Sequence, residues 1–430
     1  MAEKGKGCSE VYNIAHKLDS REIGKRLAST NAHPQIKFRN FQLQEEFDTN
    51  QPSKIVEILA ARSIIFALTQ SGHCAAFDRH TNKRLCYLNL NPREQIRKLH
   101  YNKKNNYLIT ISMLPIDSQP DASHGFSMKC RTTPLEYIRR AQPDVGFTFF
   151  ECEKLTCTGF VMFDSINGKG ITFSGQDHIY KVFDLKNYTH LYSISAKEIE
   201  EIKISSDQLL LVSKRTACGS HLPLKILSIE DGKVLKSFHH AVLPNKTVHF
   251  VELCHDKIFV KQENECLQMV DVQSEKMIEL RNQELEKSST FIFLNEKRLF
   301  LTFHSGIVFV WSLQGDLVAS YRNHLLRNFP RCTVQLIHNE ELLLSYNKIR
   351  KSDKTNCSIN IINSLTGNCC ATIGGDDPDV GTSCRNQSNL SLIQNTFQDA
   401  LDNVTALFYD KETNEVYTGN KRGFVHVWSN

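Results

Sequence analysis

The chain has 430 residues, enough for two or three ordinary domains or for one large closed ring, and 40% of them are hydrophobic, so a sizeable core can form. Its 52 Lys and Arg against 47 Asp and Glu give a formal charge of +5 with the signs interspersed, a bias too mild for a surface that tracks nucleic-acid phosphates. Fourteen cysteines lack the spacing of a disulfide scaffold, no apolar run approaches the roughly 18 residues of a membrane span, and no apolar leader follows Met1, so the sequence reads as a cytoplasmic or nuclear protein with reduced thiols.

Residues 1–35 carry Val11, Ile14, Ala15, Leu18, Ile23 and Leu27 at helical spacing, with Ser9 and Ser20 placed to cap, and read as a short helical or partly disordered segment. From residue 36 the period drops to two, and residues 36–41 or 41–47 supply a strand. A short alternating segment then recurs, ending each time on a bulky residue followed by Asp, Ser or Asn. Its copies end at Phe77-Asp78, Phe183-Asp184, Leu227-Ser228, Val270-Asp271, Trp311-Ser312, Ile362-Asn363 and Trp428-Ser429. Gly72, Gly306 and Gly423 stand five residues ahead of three of these bulky positions, where a tight hairpin requires a residue tolerant of positive φ.

From 183 through 311 the bulky positions are 44, 43 and 41 residues apart, close to the period of about 40–45 expected for a four-stranded blade. Longer gaps hold a turn extended by residues 348–356, an insertion at residues 374–402, and a complete further unit. That unit has strands at residues 96–99, 107–113, 126–131 and 147–151, an insertion at 115–143 and a helix around 133–140. The expected architecture is therefore all-β: residues 36–430 form a β-propeller of eight blades, with seven as the alternative. The last blade stops at its third strand, so an N-terminal strand must close it and remove an exposed sheet edge.

Residues 418–429, reading Thr-Gly-Asn-Lys-Arg-Gly-Phe-Val-His-Val-Trp-Ser, resemble the end of a WD repeat, as do residues 174–185 and 306–312. The chain as a whole is similar to WD-repeat proteins of plants, although only Trp311 and Trp428 keep the tryptophan and neither is followed by Asp. The resemblance implies that Asp177, in the turn before an anchor strand, bonds to a His and braces its blade. It also offers a more specific role, substrate receptor of a cullin-RING ubiquitin ligase. The docking motif of that class ends Trp-Asp-x-Arg, and its nearest counterpart is Phe183-Asp184-Leu185-Lys186. Lys186 keeps the charge of Arg but loses its bidentate fork.

Catalytic patterns do not gather anywhere along the sequence. There is no Gly-x-Ser-x-Gly elbow, no complete phosphate-cradling loop and no Cys-x-x-Cys, and His249, Cys254 and His255 are the nearest approach to a zinc set. The acidic turn Asp376, Asp377 and Asp379 lacks the spaced oxygens and final Glu of a calcium loop. Long insertions on a rigid ring are where binding residues collect, so these three aspartates and Arg139 and Arg140 on the insertion helix join Asp177, Asp184 and Lys186 as candidates for contact with a protein. The function expected is a noncatalytic scaffold for one or more proteins or peptides, with no cofactor or metal, no membrane, and neither nucleic acid nor a small-molecule substrate indicated. An enzyme with its site at the propeller channel is the rival class.

Overall fold

The computed structural model describes residues 37–42, 53–115, 126–155, 161–175, 177–215, 219–288, 290–322, 333–337, 340–351, 354–374, 400–401 and 404–429. Their 32 strands form eight four-stranded antiparallel sheets. Seven of the sheets are unbroken meanders, at residues 55–87, 95–155, 161–195, 199–241, 248–280, 291–322 and 333–374, here blades 1 to 7. Blade 8 takes three strands from residues 404–429 and its fourth from Lys37–Gln42, which lies antiparallel to Phe424–Ser429 from Lys37 opposite Ser429 to Gln42 opposite Phe424. The eight-blade expectation and the closing strand are both met. The expected N-terminal helix, at residues 1–35, lies outside the described residues.

The first strand of each blade faces the axis: Ile55–Ala61 touches both Gln95–Asn102 and Val404–Asp410, its counterparts in the flanking blades. Fourth strands such as Val234–Ala241 form the exposed rim. The apolar side chains sort into eight clusters, one between each pair of adjacent blades. Alternation along a strand feeds the two clusters flanking its blade: in blade 1, Ile65 and Ala67 pack towards blade 8, while Ile64, Phe66 and Leu68 pack towards blade 2. Both tryptophans are buried, and each indole N–H donates at 2.9 Å to a threonine hydroxyl on the preceding strand, Trp311 to Thr302 and Trp428 to Thr418.

The recurrent pair that marks each blade in the sequence has a local cause. At the bulky residue the ladder to the fourth strand slips by one position, between Ala76 and Phe77, Val182 and Phe183, Ile226 and Leu227, Val310 and Trp311, and Ile361 and Ile362. The following Asp, Ser or Asn then caps the turn that leads out. Asp78 Oδ1 accepts from the backbone N–H groups of His80 and Thr81 (3.0 and 2.7 Å), Asp271 Oδ1 from that of Ser274 (2.7 Å), and Asn363 Oδ1 from those of Leu365 and Thr366 (3.0 and 2.9 Å). Both Asp78 and Asp271 are held below the usual carboxylate range, Asp78 chiefly by the Thr81 N–H and Asp271 chiefly by Lys257.

Three details differ from the sequence reading. Residues 348–356 do not extend a turn; they lengthen a hairpin, Leu342–Lys351 against Lys354–Asn363, whose ladder runs out to Lys351 opposite Lys354. The insertion helix is shorter than expected, Leu135–Arg139, because Phe126–Pro134 stays paired as strand through Pro134. Asp177 accepts from the Ser174 hydroxyl at 3.0 Å, and among the described residues no His bonds to it. The glycine turns are as expected: Gly72, Gly306 and Gly423 adopt φ of 91°, 77° and 81°.

One buried group ties stability to pH. His426, 3% exposed, sits 3.3 Å from the Asn420 amide nitrogen, and burial pulls it from 6.5 down to about 4. The unfolded chain therefore takes up this proton more readily than the folded one. Stability that is complete above pH 6.5 drains away as pH falls from 6.5 towards about 4, by up to about 3 kcal/mol. Urea titrations at pH 7 and pH 4.5 are expected to show a smaller acid loss for His426→Gln than for the wild type; equal losses would contradict the assignment.

Candidate binding site at the channel mouth

Antiparallel meanders put the turns after first and third strands on one face of the ring, and all other connections on the opposite face. On the former face every first hairpin turn contains one residue with φ between 51° and 69°: Arg62, Asn106, Gly168, Ser206, His255, Arg298, Glu340 and Asn414. These tight left-handed turns ring the mouth of the channel at fixed positions.

Neighbouring turns are bonded to one another. Asn167 of blade 3 holds Asp164 through its side-chain amide (2.6 Å) and donates to the Ser206 carbonyl of blade 4. His255 of blade 5 bonds through Nε2 to the Asn295 carbonyl of blade 6, and the Asn295 and Glu296 N–H groups donate to the Glu340 carboxylate of blade 7 at 2.8 and 3.0 Å. Burial raises the Glu340 pKa, and those N–H groups partly offset the rise. In blade 2, the Asn102 and Asn105 amides both donate to the Leu185 carbonyl of blade 3, at 2.6 and 3.1 Å.

From this frame a cavity of about 980 Å³ over blades 3 to 6 extends along the channel wall, lined by the turns, by first strands as far as Glu200 at the far end of Ile199–Ser205, and by Tyr180 of a third strand. Its charged lining comprises Asp164, Glu200, Glu201, Asp207, Glu252 and Glu296 against Lys203 alone, with His255 beside them. Lys203 is already neutralised, by Glu252 at 2.8 Å and Glu201 at 3.4 Å. Met162, Phe163, Tyr180, Ile202 and Ile204 supply apolar walls. On the opposite arc, over blades 8, 1 and 2, a smaller cavity of about 360 Å³ carries Arg62, Lys103 and Lys411 with Asp410 and Glu412. The mouth is thus electrically lopsided.

The residues singled out in the sequence do not converge on this site. Asp184 and Lys186 stand in the outer turn of blade 3, where the Asp184 carboxylate accepts from the Lys186 N–H at 2.8 Å. Asp177 is on the opposite face, in the turn between Lys169–Ser174 and Ile179–Asp184. Arg139 donates to the Ser63 hydroxyl of blade 1 at 2.7 Å, and Arg140 pairs with Glu136 one helical turn back. Asp376, Asp377 and Asp379 lie outside the described residues. His249 is exposed on its strand, Cys254 is buried and His255 occupies the mouth; among the described residues no His, Cys, Asp and Glu side chains are grouped to hold a metal. No contiguous motif marks the acids of this cavity, because the six of them are spread over four blades. One signal was available: Asp164, Asp207, Glu252 and Glu296 follow one another at intervals of 43, 45 and 44 residues, the period of the blades.

No curated protein matches the chain. Among solved structures, the computationally designed Ika8 protein superposes with a TM-score of 0.50 at 15% identity, over 88% of this chain and 97% of the other, and shares the fold. BamB from Moraxella catarrhalis gives 0.44 at 10% identity, over 92% and 98%. A family model described as a domain of unknown function, DUF7899, matches residues 26–428. No helix among the described residues is long and apolar enough to cross a membrane.

Proposed function

The chain belongs to the DUF7899 family, and from its ring geometry we propose that it is a noncatalytic platform, of WD-repeat type and working in the cytoplasm or nucleus, that binds other proteins or peptides at the channel mouth. The observation that carries this reading is the wide cavity of about 980 Å³ over blades 3 to 6, whose rim is fixed by side-chain bonds from one blade to the next. A preorganised concave surface loses little entropy on docking, which favours recognition by rigid turns over recognition by loops that must order first. Part of the polar lining is engaged in holding the frame: His255 bonds to a carbonyl, Lys203 lies between two carboxylates and Asn167 between a carboxylate and a carbonyl. The Trp–Thr pairs of blades 6 and 8 support the WD-type reading.

A photo-crosslinking residue placed at Ile166, 76% exposed on the cavity rim, tests this in cells of the native organism. Discrete protein adducts are expected from that position and not from Glu263, which is exposed on the opposite face. No adduct at Ile166, or the same adducts from both faces, would overturn the reading.

A further inference from the structure

We propose that the cavity over blades 3 to 6 takes a partner segment bearing lysine or arginine side chains. This rests on the platform reading and names the chemistry of the partner.

The chain as a whole is basic, at +5, yet this cavity presents six carboxylates and one lysine. The sign of the surface is therefore inverted locally. Since Lys203 is taken up by Glu252 and Glu201, the surplus rests on Asp164, Glu200, Asp207 and Glu296, for which the described residues provide no cationic side chain within an ion-pair distance. Like charges held together on a rigid frame repel one another, and a cation entering between them relieves that repulsion.

Hydrogen bonding points the same way. Ser205, 4% exposed, lines the cavity, and its hydroxyl has no hydrogen-bond partner; the side-chain carbonyl of Asn295, also in the lining, is buried and unpartnered too. Lysine and arginine bring donors only, which suits a site rich in carboxylates with an acceptor left over. The apolar walls at Met162, Phe163, Tyr180 and Ile202 fit the aliphatic stems of those side chains and the rings can face a guanidinium. A phosphate backbone or an acidic peptide meets repulsion in the same place. The cavity volume, about 980 Å³, is at the upper end of the roughly 300–1,000 Å³ of small-molecule pockets, and holds several residues of an extended segment.

Fluorescence anisotropy on the full chain tests the proposal with three labelled probes: a peptide of four Arg-Gly-Ser repeats, its lysine counterpart and its glutamate counterpart, each in 50 mM salt. The arginine and lysine probes are expected to bind and the glutamate probe not. Neutralising the cavity with Glu200→Gln, Asp207→Asn and Glu296→Gln is expected to weaken binding about tenfold or more. Glu263→Gln, an exposed acid in a turn of the opposite face, is expected to leave it unchanged. Equal affinity of the cavity variant and the wild type, or equal binding of all three probes, would overturn the proposal. Should neither cationic probe bind while the crosslinker at Ile166 still captures a protein, this inference falls and the platform reading stands; if Ile166 captures nothing, the platform reading falls.

Discussion

Deleting residues 1–42 is expected to destabilise the ring far more than deleting residues 1–36, although the two truncations differ by only six residues. Those six are the closing strand Lys37–Gln42, and every one of them is in register with a residue of Phe424–Ser429. Without them, blade 8 ends on a strand carrying Val425, Val427 and Trp428, and that strand presents an unpaired edge to solvent. Removing the pairing costs net hydrogen bonds of about 0.5–1.5 kcal/mol each, so a six-residue ladder is on the order of 5 kcal/mol, comparable with the whole stability of many domains. The longer deletion should lower the urea midpoint sharply or leave the protein aggregated, whereas the shorter should fold. Similar midpoints for both would show that the strand does not close the ring.

The second large effect is expected at the interface where blade 8 meets blade 1. Arg79, on the outer turn of blade 1, is 7% exposed and is ion-paired with Asp410 and, at 3.7 Å, with Glu415. Glu415 also accepts the hydroxyl of the buried Tyr417, whose ring lies 5.8 Å from the guanidinium carbon. Burial and the neighbouring Glu415 push the Tyr417 hydroxyl far above its ordinary value, so the phenol stays protonated and donates. Breaking a buried pair from one side leaves an uncompensated charge and costs about 3–5 kcal/mol. Arg79→Ala leaves two carboxylates, on Asp410 and Glu415, each under a tenth exposed. The triple change Arg79→Met, Asp410→Asn and Glu415→Gln, which removes charge from all three, should recover much of the loss. Thermal or urea unfolding checks both; a single variant within about 1 kcal/mol of the wild type would refute the role given to Arg79.

How much of this was legible in the sequence follows from which signals are local. The bulky residue followed by Asp, Ser or Asn is a local device, a bulge and a capped turn within one hairpin, so it recurs visibly at Phe77-Asp78 and at Ile362-Asn363 even where tryptophan is lost. Blade number and closing strand followed from it. The length of the Leu342–Asn363 hairpin did not, because a polar, lysine-rich stretch alternates too weakly to be told from a turn. The Arg79 cluster joins residues more than 300 positions apart, and the acidic mouth gathers side chains from four blades, so neither has a contiguous motif. Asp184 and Lys186 attracted notice as neighbours in sequence, but their spacing serves the turn they stand in.

The claim that partners dock on the acidic cavity is tested most directly by comparing what three forms of the full chain bind in native cells: wild type, the cavity variant Glu200→Gln, Asp207→Asn and Glu296→Gln, and the opposite-face variant Glu263→Gln. Quantitative mass spectrometry after crosslinking from Ile166 should recover the same partners with wild type and the opposite-face variant, and lose them with the cavity variant. Identical recovery from all three forms would contradict the account.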